Sequence, residues 1–496
     1  MIELMVILLA VSVLFEAAAY ICTGILQKVV TVLTLSLIAF TCGGLFMARI
    51  DTATALIGVI GLYRCFNLLR IIEARMNAAY LRHATIQTSV WLITSQCAVG
   101  ISWYLESWYH YVSLKWLLWS VLIVQLVMAV VLLCSLLRRL RTTKIRASKT
   151  AFADRDLPTV TIAIPARNED EQLEACLHAV VASDYPKLEV IVLDDCSQDR
   201  TSEIIKGFAH DGIRFVMGEE PKPTWLAKNQ AYDRLATEAS GDVLLFCSVD
   251  VRLDPSTVRM LITDMLTRQK VMTSLLPLNE QRSASMPQTM RYLWELALPR
   301  RMFNRPPVLS SCWAIYRHEL QKLGGFAGVS RSITPEAFFA RELIKRDGYS
   351  FLRSNDLLGL RSVKGVAEQR DTAVRTRYTQ LHRRPEIVCL VTLIALALLF
   401  APFVLAIVGI WGVFGFLPEI IVVITALLLL LIYRIIEFVA FPRNPWVVFP
   451  LFPVALLSDL VLLHYSMWKY EFSQVVWKGR NVCIPTMHVV PHLPKM

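Results

Sequence analysis

The chain has 496 residues, more than one compact domain holds, and 55% of them are hydrophobic. Its net charge of +11 raises nucleic acid as a partner. However, much of the basic excess flanks apolar stretches, with Arg138, Arg139, Arg141, Lys144, Arg146 and Lys149 after one and Arg375, Arg377, Arg383 and Arg384 before the next. Such clusters fit a cytoplasmic membrane face, so no nucleic acid partner is expected. The eleven cysteines have no metal-ligand spacing, and a reduced compartment is the simpler reading.

Residues 1–137 are dense in Leu, Val, Ile and aromatics. They read as four or five membrane helices at about 4–26, 29–48, 52–72, 88–105 and 114–137, each near the roughly 20-residue bilayer length. The fourth is short and polar. Glu3 stands where a cleavable signal carries positive charge, and further apolar segments follow. Lys28, Arg70, Arg75 and Arg82 fall on one side of this arrangement and the aromatic stretch Trp103–Tyr111 on the other. A basic juxtamembrane linker, 138–157, leads to residues of ordinary soluble composition at 158–384, which the charge bias puts in the cytoplasm.

Within that segment strand and helix patterns alternate. Strand 160–164 precedes a helical pattern at 169–182, strand 189–193 precedes 199–209, strand 213–217 precedes a helix at 231–239, and strand 243–247 follows. This alternation predicts an α/β domain with a parallel sheet. Apolar runs recur at about 387–411, 419–441 and 446–468, so 385–468 is a second membrane region and 469–496 a tail. Pro442, Pro445, Pro450 and Pro453 interrupt the third run. With Lys469, Lys478, Arg480 and Lys495 in the tail favouring the cytoplasm, the third run is read as re-entrant or interfacial.

Three apolar strands end abruptly in polar residues: Thr161–Ile164 before Pro165-Ala-Arg-Asn-Glu169, Val190–Leu193 before Asp194-Asp195, and Val243–Cys247 before Ser248-Val-Asp250. Buried parallel strands read this way, and ligands bind at their carboxyl ends. The three ends therefore converge on one site, whose acids suit a divalent metal held against a diphosphate. Each motif also has a plainer reading. Glu169 and Glu336 suit the first turn of a helix, Ser197 or Asp199 an N-cap, Lys228 a solvated surface, and Asp250 a turn.

Taken together and in order, these motifs resemble glycosyltransferase family 2. The resemblance covers about 158–384 and is greatest to membrane-bound, lipid-glycosylating members such as carotenoid, hydroxychlorobactene or ceramide glucosyltransferases. It implies a nucleotide-diphospho-sugar transferase (GT-A, Rossmann-like) domain between two α-helical transmembrane regions, and an inverting transfer. By the same resemblance Pro165, Arg167 and Glu169 surround the nucleotide. Asp194 and Asp195 open Asp194-Asp195-Cys-Ser-Gln-Asp-Arg-Thr201, where Asp195 meets the base, and Lys228 and Arg375 meet the diphosphate. The family's Asp-x-Asp reads Ser248-Val249-Asp250, leaving Asp250 as the ligand of a divalent metal, Mg or Mn. After Gly324-Gly325-Phe326, the position of the family's catalytic base falls on Glu336 and its preceding acid on Pro335. The Gln/Arg-x-x-Arg-Trp motif reads Val374-Arg-Thr-Arg377-Tyr378, so that Arg377 stabilises the leaving diphosphate. Trp477-Lys-Gly-Arg480 resembles a tail motif of the carotenoid-type relatives.

The resulting expectation is a multi-pass cell-membrane hexosyltransferase with its catalytic domain facing the cytoplasm. It takes a nucleotide-sugar donor, with UDP favoured, and a lipid acceptor offering a hydroxyl or carboxyl. The stretch 281–313, with Met286, Met290, Trp294 and Met302, is a candidate acceptor floor. Two alternatives stay open: a processive polysaccharide synthase, which Val374 and Tyr378 weaken, and a degenerate nucleotide-sugar-binding protein, since Ser248, Pro335 and Val374 depart from pattern.

Overall fold

The computed structural model describes residues 2–21, 24–48, 52–72, 79–108, 114–145, 152–279, 286–298, 306–409, 415–440 and 452–483. Helices α1 (Ile2–Ile21), α2 (Gly24–Ala48), α3 (Thr52–Ile72) and α4 (Ala79–Trp108) pack in succession, and α5 (Leu114–Thr142) leads toward the sheet domain. Within the apolar bundle every guanidinium nitrogen of Arg64 has a partner. Arg64 donates to Glu16 (2.7 Å), Gln96 (2.6 Å) and Ser12 (3.1 Å), as a charge removed from water requires.

Among the described residues, five helices are long and apolar enough to cross a membrane: Ile25–Met47, Thr52–Leu69, Leu118–Thr142, Pro385–Gly409 and Phe416–Val439. The expected first and fourth spans form helices α1 and α4; α1 is predominantly apolar along its length, whereas α4 carries Gln87, Thr88, Ser89, Ser95 and Gln96. Ten cysteines among the described residues are free.

The soluble domain is built on β1 (Val160–Ala166), β2 (Leu188–Asp194), β3 (Ile213–Met217), β4 (Val243–Cys247), β5 (Val251–Arg252), β6 (Met272–Leu276), β7 (Leu278–Asn279), β8 (Cys312–Tyr316), β9 (Tyr349–Arg353) and β10 (Arg361–Ser362). Seven strands form one sheet in the order β3-β2-β1-β4-β8-β6-β9. The first four are parallel, as their apolar runs predict, whereas β8 runs antiparallel between β4 and β6. Helices α6 (Leu173–Val181), α7 (Thr201–Gly207), α8 (Ala227–Glu238), α9 (Thr257–Thr267), α10 (Met286–Leu296), α11 (Arg317–Lys322), α12 (Pro335–Ile344) and α13 (Val366–Gln380) complete the domain.

Helix α6 starts four residues later than the apolar pattern suggests. Asn168 takes a left-handed conformation (φ 49°), and the loop after it is held by the 197–201 turn instead of by helical hydrogen bonds.

Phe246 and Trp313 stack at 4.5 Å beside Tyr232, Phe326 and Phe339 in a core that continues into α5 through Leu132 and Leu136. The same core takes in α16 (Phe416–Ala440) and α17 (Phe452–Glu471) through Leu429, Tyr433, Phe452 and Leu456. Each such side chain contributes on the order of 1.5–3 kcal/mol when fully buried, so the sheet domain and these helices form one packed unit. Between them come α14 (Pro385–Ala395) and α15 (Ala401–Gly409), joined by a π turn at Leu396–Phe400. Pro402 lacks an N–H for the regular ladder, and the π turn accommodates it.

Helix α17 covers the third apolar run and is not among the five membrane candidates; the proline-rich stretch 442–450 lies outside the described residues. Asp459, Leu463, Ser466 and Tyr470 are buried, and α17 packs along α13 and α10. A short hairpin, β11 (Val476–Trp477) and β12 (Arg480–Asn481), follows it.

Candidate active site

Register brings the motif loops to one edge of the sheet. Ala166 pairs with Asp194, and Cys247 pairs with Cys312, so Arg167, Asp195, Ser248 and Ser311 leave neighbouring strands side by side. The Ser248 amide donates to the Ser311 carbonyl at 2.9 Å. A three-stranded sheet, β5-β10-β7, brings in a residue that the motifs did not single out. Ser362 pairs with Val251, and just beyond these strands Lys364 Nζ meets Asp250 Oδ2 at 2.8 Å.

These edges enclose a cleft of about 660 Å³. Of the expected site residues, Pro165, Arg167, Glu169, Asp195, Lys228, Ser248, Asp250 and Arg375 line it. Asp194 does not line it: its Oδ1 accepts the Ser197 amide at 3.0 Å, so it shapes the turn that presents Asp195. Asp199 and Thr201 play similar parts, since Thr201 Oγ1 accepts the Glu169 amide and Asp199 accepts the amides of Thr201 and Asp170. Gly218 backs this turn closely. A Cβ there would lie 2.6 Å from the Asp194 carbonyl oxygen, so only glycine fits without displacing the loop.

The C-terminal hairpin closes one side of the cleft. Arg480 donates to both Asp195 oxygens at 2.8 Å and to Glu220 at 3.1 Å. Lys478 Nζ lies 3.3 Å from Glu169 and donates to the Asn168 carbonyl, and the Arg375 guanidinium sits 5.2 Å from the centre of the Trp477 ring. Burial pushes the Glu169 and Asp195 carboxyls above their ordinary range, and Lys478 and Arg480 draw them partly back. The Trp-Lys-Gly-Arg resemblance was the one sequence signal for this hairpin, and the fold is what brings it to the carboxylates.

Asp250 is also buried, which alone would raise its carboxyl, but Lys364 and the Ser248 hydroxyl more than compensate and hold it below the ordinary value. Its Oδ1 has no hydrogen-bond partner. Among the described residues no cluster of three metal-ligating side chains exists.

Glu336 does not line the cleft. It is 1% exposed at the start of α12, behind the wall that carries Ser310 and Ser311. Its Oε2 is unpartnered, and burial raises its carboxyl against the pull of Lys228, the helix backbone, Arg291 and the Ser310 hydroxyl.

Arg377 also departs from expectation. It is absent from the main cleft and lines a smaller adjoining cavity, where its guanidinium donates to Asp459 Oδ1 of α17 at 2.5 Å. Asp459 Oδ2 accepts the Trp294 indole N–H at 2.7 Å. An ion pair anchoring α13 to α17 accounts for Arg377, and Arg375, two residues earlier, faces the cleft instead. The expected acceptor floor is altered too. Met290 is buried in the core, Trp294 ties α10 to α17, and Met302 lies outside the described residues. Of the α10 residues Arg291 lines both cavities and Tyr292 the smaller one, and an arginine in this Met- and Trp-containing stretch was the available signal for it.

Residues 161–324 match Glycosyl transferase family 2. The chain carries a family 2 glycosyltransferase domain. A glycosyltransferase of Haloferax volcanii, AglE, is 37% identical over 98 residues, which make up 19% of this chain and 31% of that protein. The 4,4'-diaponeurosporenoate glycosyltransferase of Staphylococcus aureus strain bovine RF122 is 28% identical over 133 residues, 27% of this chain and 34% of its own. The chain thus spans about a third of the length of these curated relatives. A mannosyltransferase from Pyrobaculum calidifontis, solved with GDP-Man and Mn2+, aligns with a TM-score of 0.44 at 18% identity, over 71% of this chain and 98% of its own. The family match covers the glycosyltransferase domain from β1 through α11 and ends before Glu336, Arg375 and Arg377.

Proposed function

We propose that this chain is a membrane-embedded inverting glycosyltransferase that moves a hexose from a nucleotide diphosphate sugar, with UDP favoured, to a hydroxyl or carboxyl of a membrane lipid. The observation that carries this reading is the single cleft in which Asp195, Lys228, Arg375 and Asp250 line the carboxyl edge of a family 2 domain packed against apolar helices. In this reading the catalytic domain faces the cytoplasm, which the basic juxtamembrane clusters support.

Asp195 and Glu169 hold the nucleoside, and Lys228 and Arg375 neutralise the diphosphate. The buried, desolvated Lys228 pairs well with a ligand that brings charge to it. A divalent metal fits in part. Asp250 offers one unpartnered oxygen and would hold Mg²⁺ or Mn²⁺ only with phosphate and water completing its ligands. When bound, the metal supplies further charge for the leaving diphosphate. The raised carboxyl of Glu336, with its Oε2 unpartnered, has the character of a general base for an acceptor hydroxyl entering beside Ser310 and Ser311. As that oxygen bonds to the anomeric carbon, the sugar–phosphate bond breaks and its electron pair leaves with the diphosphate.

The test is nucleotide release by purified protein with native lipid extract over UDP- and GDP-sugars, with and without Mn²⁺. Release that needs lipid and yields a labelled glycolipid supports the reading. Donor binding without release for every donor sinks it in favour of a binding protein, and a labelled polymer in favour of a polysaccharide synthase.

A further inference from the structure

Beside the main cleft lies an annex of about 70 Å³, which shares Asp250, Arg291 and Lys364 with it. Its other walls mix apolar residues, among them Leu276, Tyr292 and Leu309, with polar ones, among them Ser362, Gln369 and Thr376. Two further cations line the annex with Arg291: Lys364 is tied to Asp250, and Arg377 to Asp459. Among the described residues Arg291 has no hydrogen bond or ion pair. Glu295, one turn further along α10, and Arg377 act on it electrostatically with opposite signs. A desolvated guanidinium without a hydrogen-bonded or ion-paired partner suits an anion, because Glu295 and Asp250 compensate its desolvation only in part.

The annex is too small for a hexose and suits a carboxylate or a phosphate group. Its walls come from α10 and α13, both packed on α17, and α10 also contacts α5 and α16, two of the apolar helices. A lipid-borne anion would come from that side, whereas Asp195 and its loop line the main cleft. We propose that Arg291 is a specificity-determining residue that binds an acidic group, carboxylate or phosphate, on the acceptor lipid. This rests on the glycosyltransferase reading above for its place in turnover, but not for binding. Charge-assisted contacts from a planar guanidinium orient such a group, and they bring the acceptor beside Ser311 and the anomeric carbon.

The experiment uses the full-length protein in neutral detergent, with hexadecanoic acid, hexadecyl phosphate and hexadecanol as probes. Equilibrium binding is measured for the unaltered protein, Arg291→Gln and Arg291→Lys, with the thermal midpoint recorded for each. The expected result is that one or both acids bind at least about tenfold more tightly than the alcohol, that Arg291→Gln removes this difference, and that Arg291→Lys restores part of it. Whichever acid binds identifies the group as carboxylate or phosphate. In turnover, Arg291→Gln raises KM for the acidic acceptor and not for the donor. Equal binding of acid and alcohol, or a rise confined to the donor's KM, overturns the proposal, and the latter assigns Arg291 to the leaving diphosphate. Selective acid binding without nucleotide release from any donor would keep the annex and reject the transferase reading.

Discussion

Replacing Glu336 by Gln removes a charge while keeping shape, and it separates two roles that the same residue can play. The side chain is 1% exposed, lies in the first turn of α12, and has an unpartnered Oε2. If it served only the helix N-terminus, Gln would lower stability by about 0.3–1 kcal/mol and leave turnover alone. As a general base it accounts for about 10²–10⁴ in rate, or roughly 2.7–5.4 kcal/mol of barrier. The stability effect then has the other sign. Burial raises its folded carboxyl above the ordinary 4.5, so its contribution is fully present below that value and is lost as pH rises through the raised one. At neutral pH the ionised side chain is a cost that Gln lacks, and Glu336→Gln is expected to melt at the same temperature or higher. The base must also be deprotonated to act, so turnover of an alcohol acceptor rises with pH along a limb displaced above the ordinary glutamate range. The assay is turnover against pH together with thermal midpoint in detergent. More than about a tenth of turnover surviving in the variant, or an acid limb at the ordinary value, would refute the assignment.

Three further outcomes follow from the site. Lys228 draws the Glu336 carboxyl down, so Lys228→Met moves the acid limb to still higher pH; a shift to lower pH would contradict the charge arrangement. Arg480 occupies both Asp195 oxygens, so Arg480→Ala, by removing a partly buried pair worth about 1 kcal/mol, tightens UDP binding roughly fivefold by calorimetry. An unchanged Kd would show that the base does not compete for Asp195. Asp459 anchors both Arg377 and Trp294, so Asp459→Ala leaves a buried guanidinium unpaired and costs about 3–5 kcal/mol, read as a lowered thermal midpoint. An unmoved midpoint would mean that α13 and α17 hold together without the pair.

The sequence by itself determined the parallel strands, because continuous apolar runs are buried on both faces wherever the chain places them. It also located most of the cleft, because Pro165, Arg167, Glu169, Asp195, Ser248 and Asp250 follow those strands directly, and strand ends in a parallel sheet share an edge. Residues joined by long-range contacts were decided only by the tertiary structure. Nothing local marks that β8 inserts antiparallel beside β4 and so delivers Ser310 and Ser311, or that a three-stranded sheet carries Lys364 onto Asp250. Local pattern likewise cannot distinguish Asp194 from Asp195, or Arg375 from Arg377. Neighbours in sequence turn to different surroundings, and the turn amide at Ser197 and the α17 carboxylate at Asp459 each claim one member of a pair. The hairpin lies furthest from what sequence alone fixes. Arg480 stands 285 residues beyond Asp195, and the two meet because α17 packs along α13 and returns the chain to the cleft.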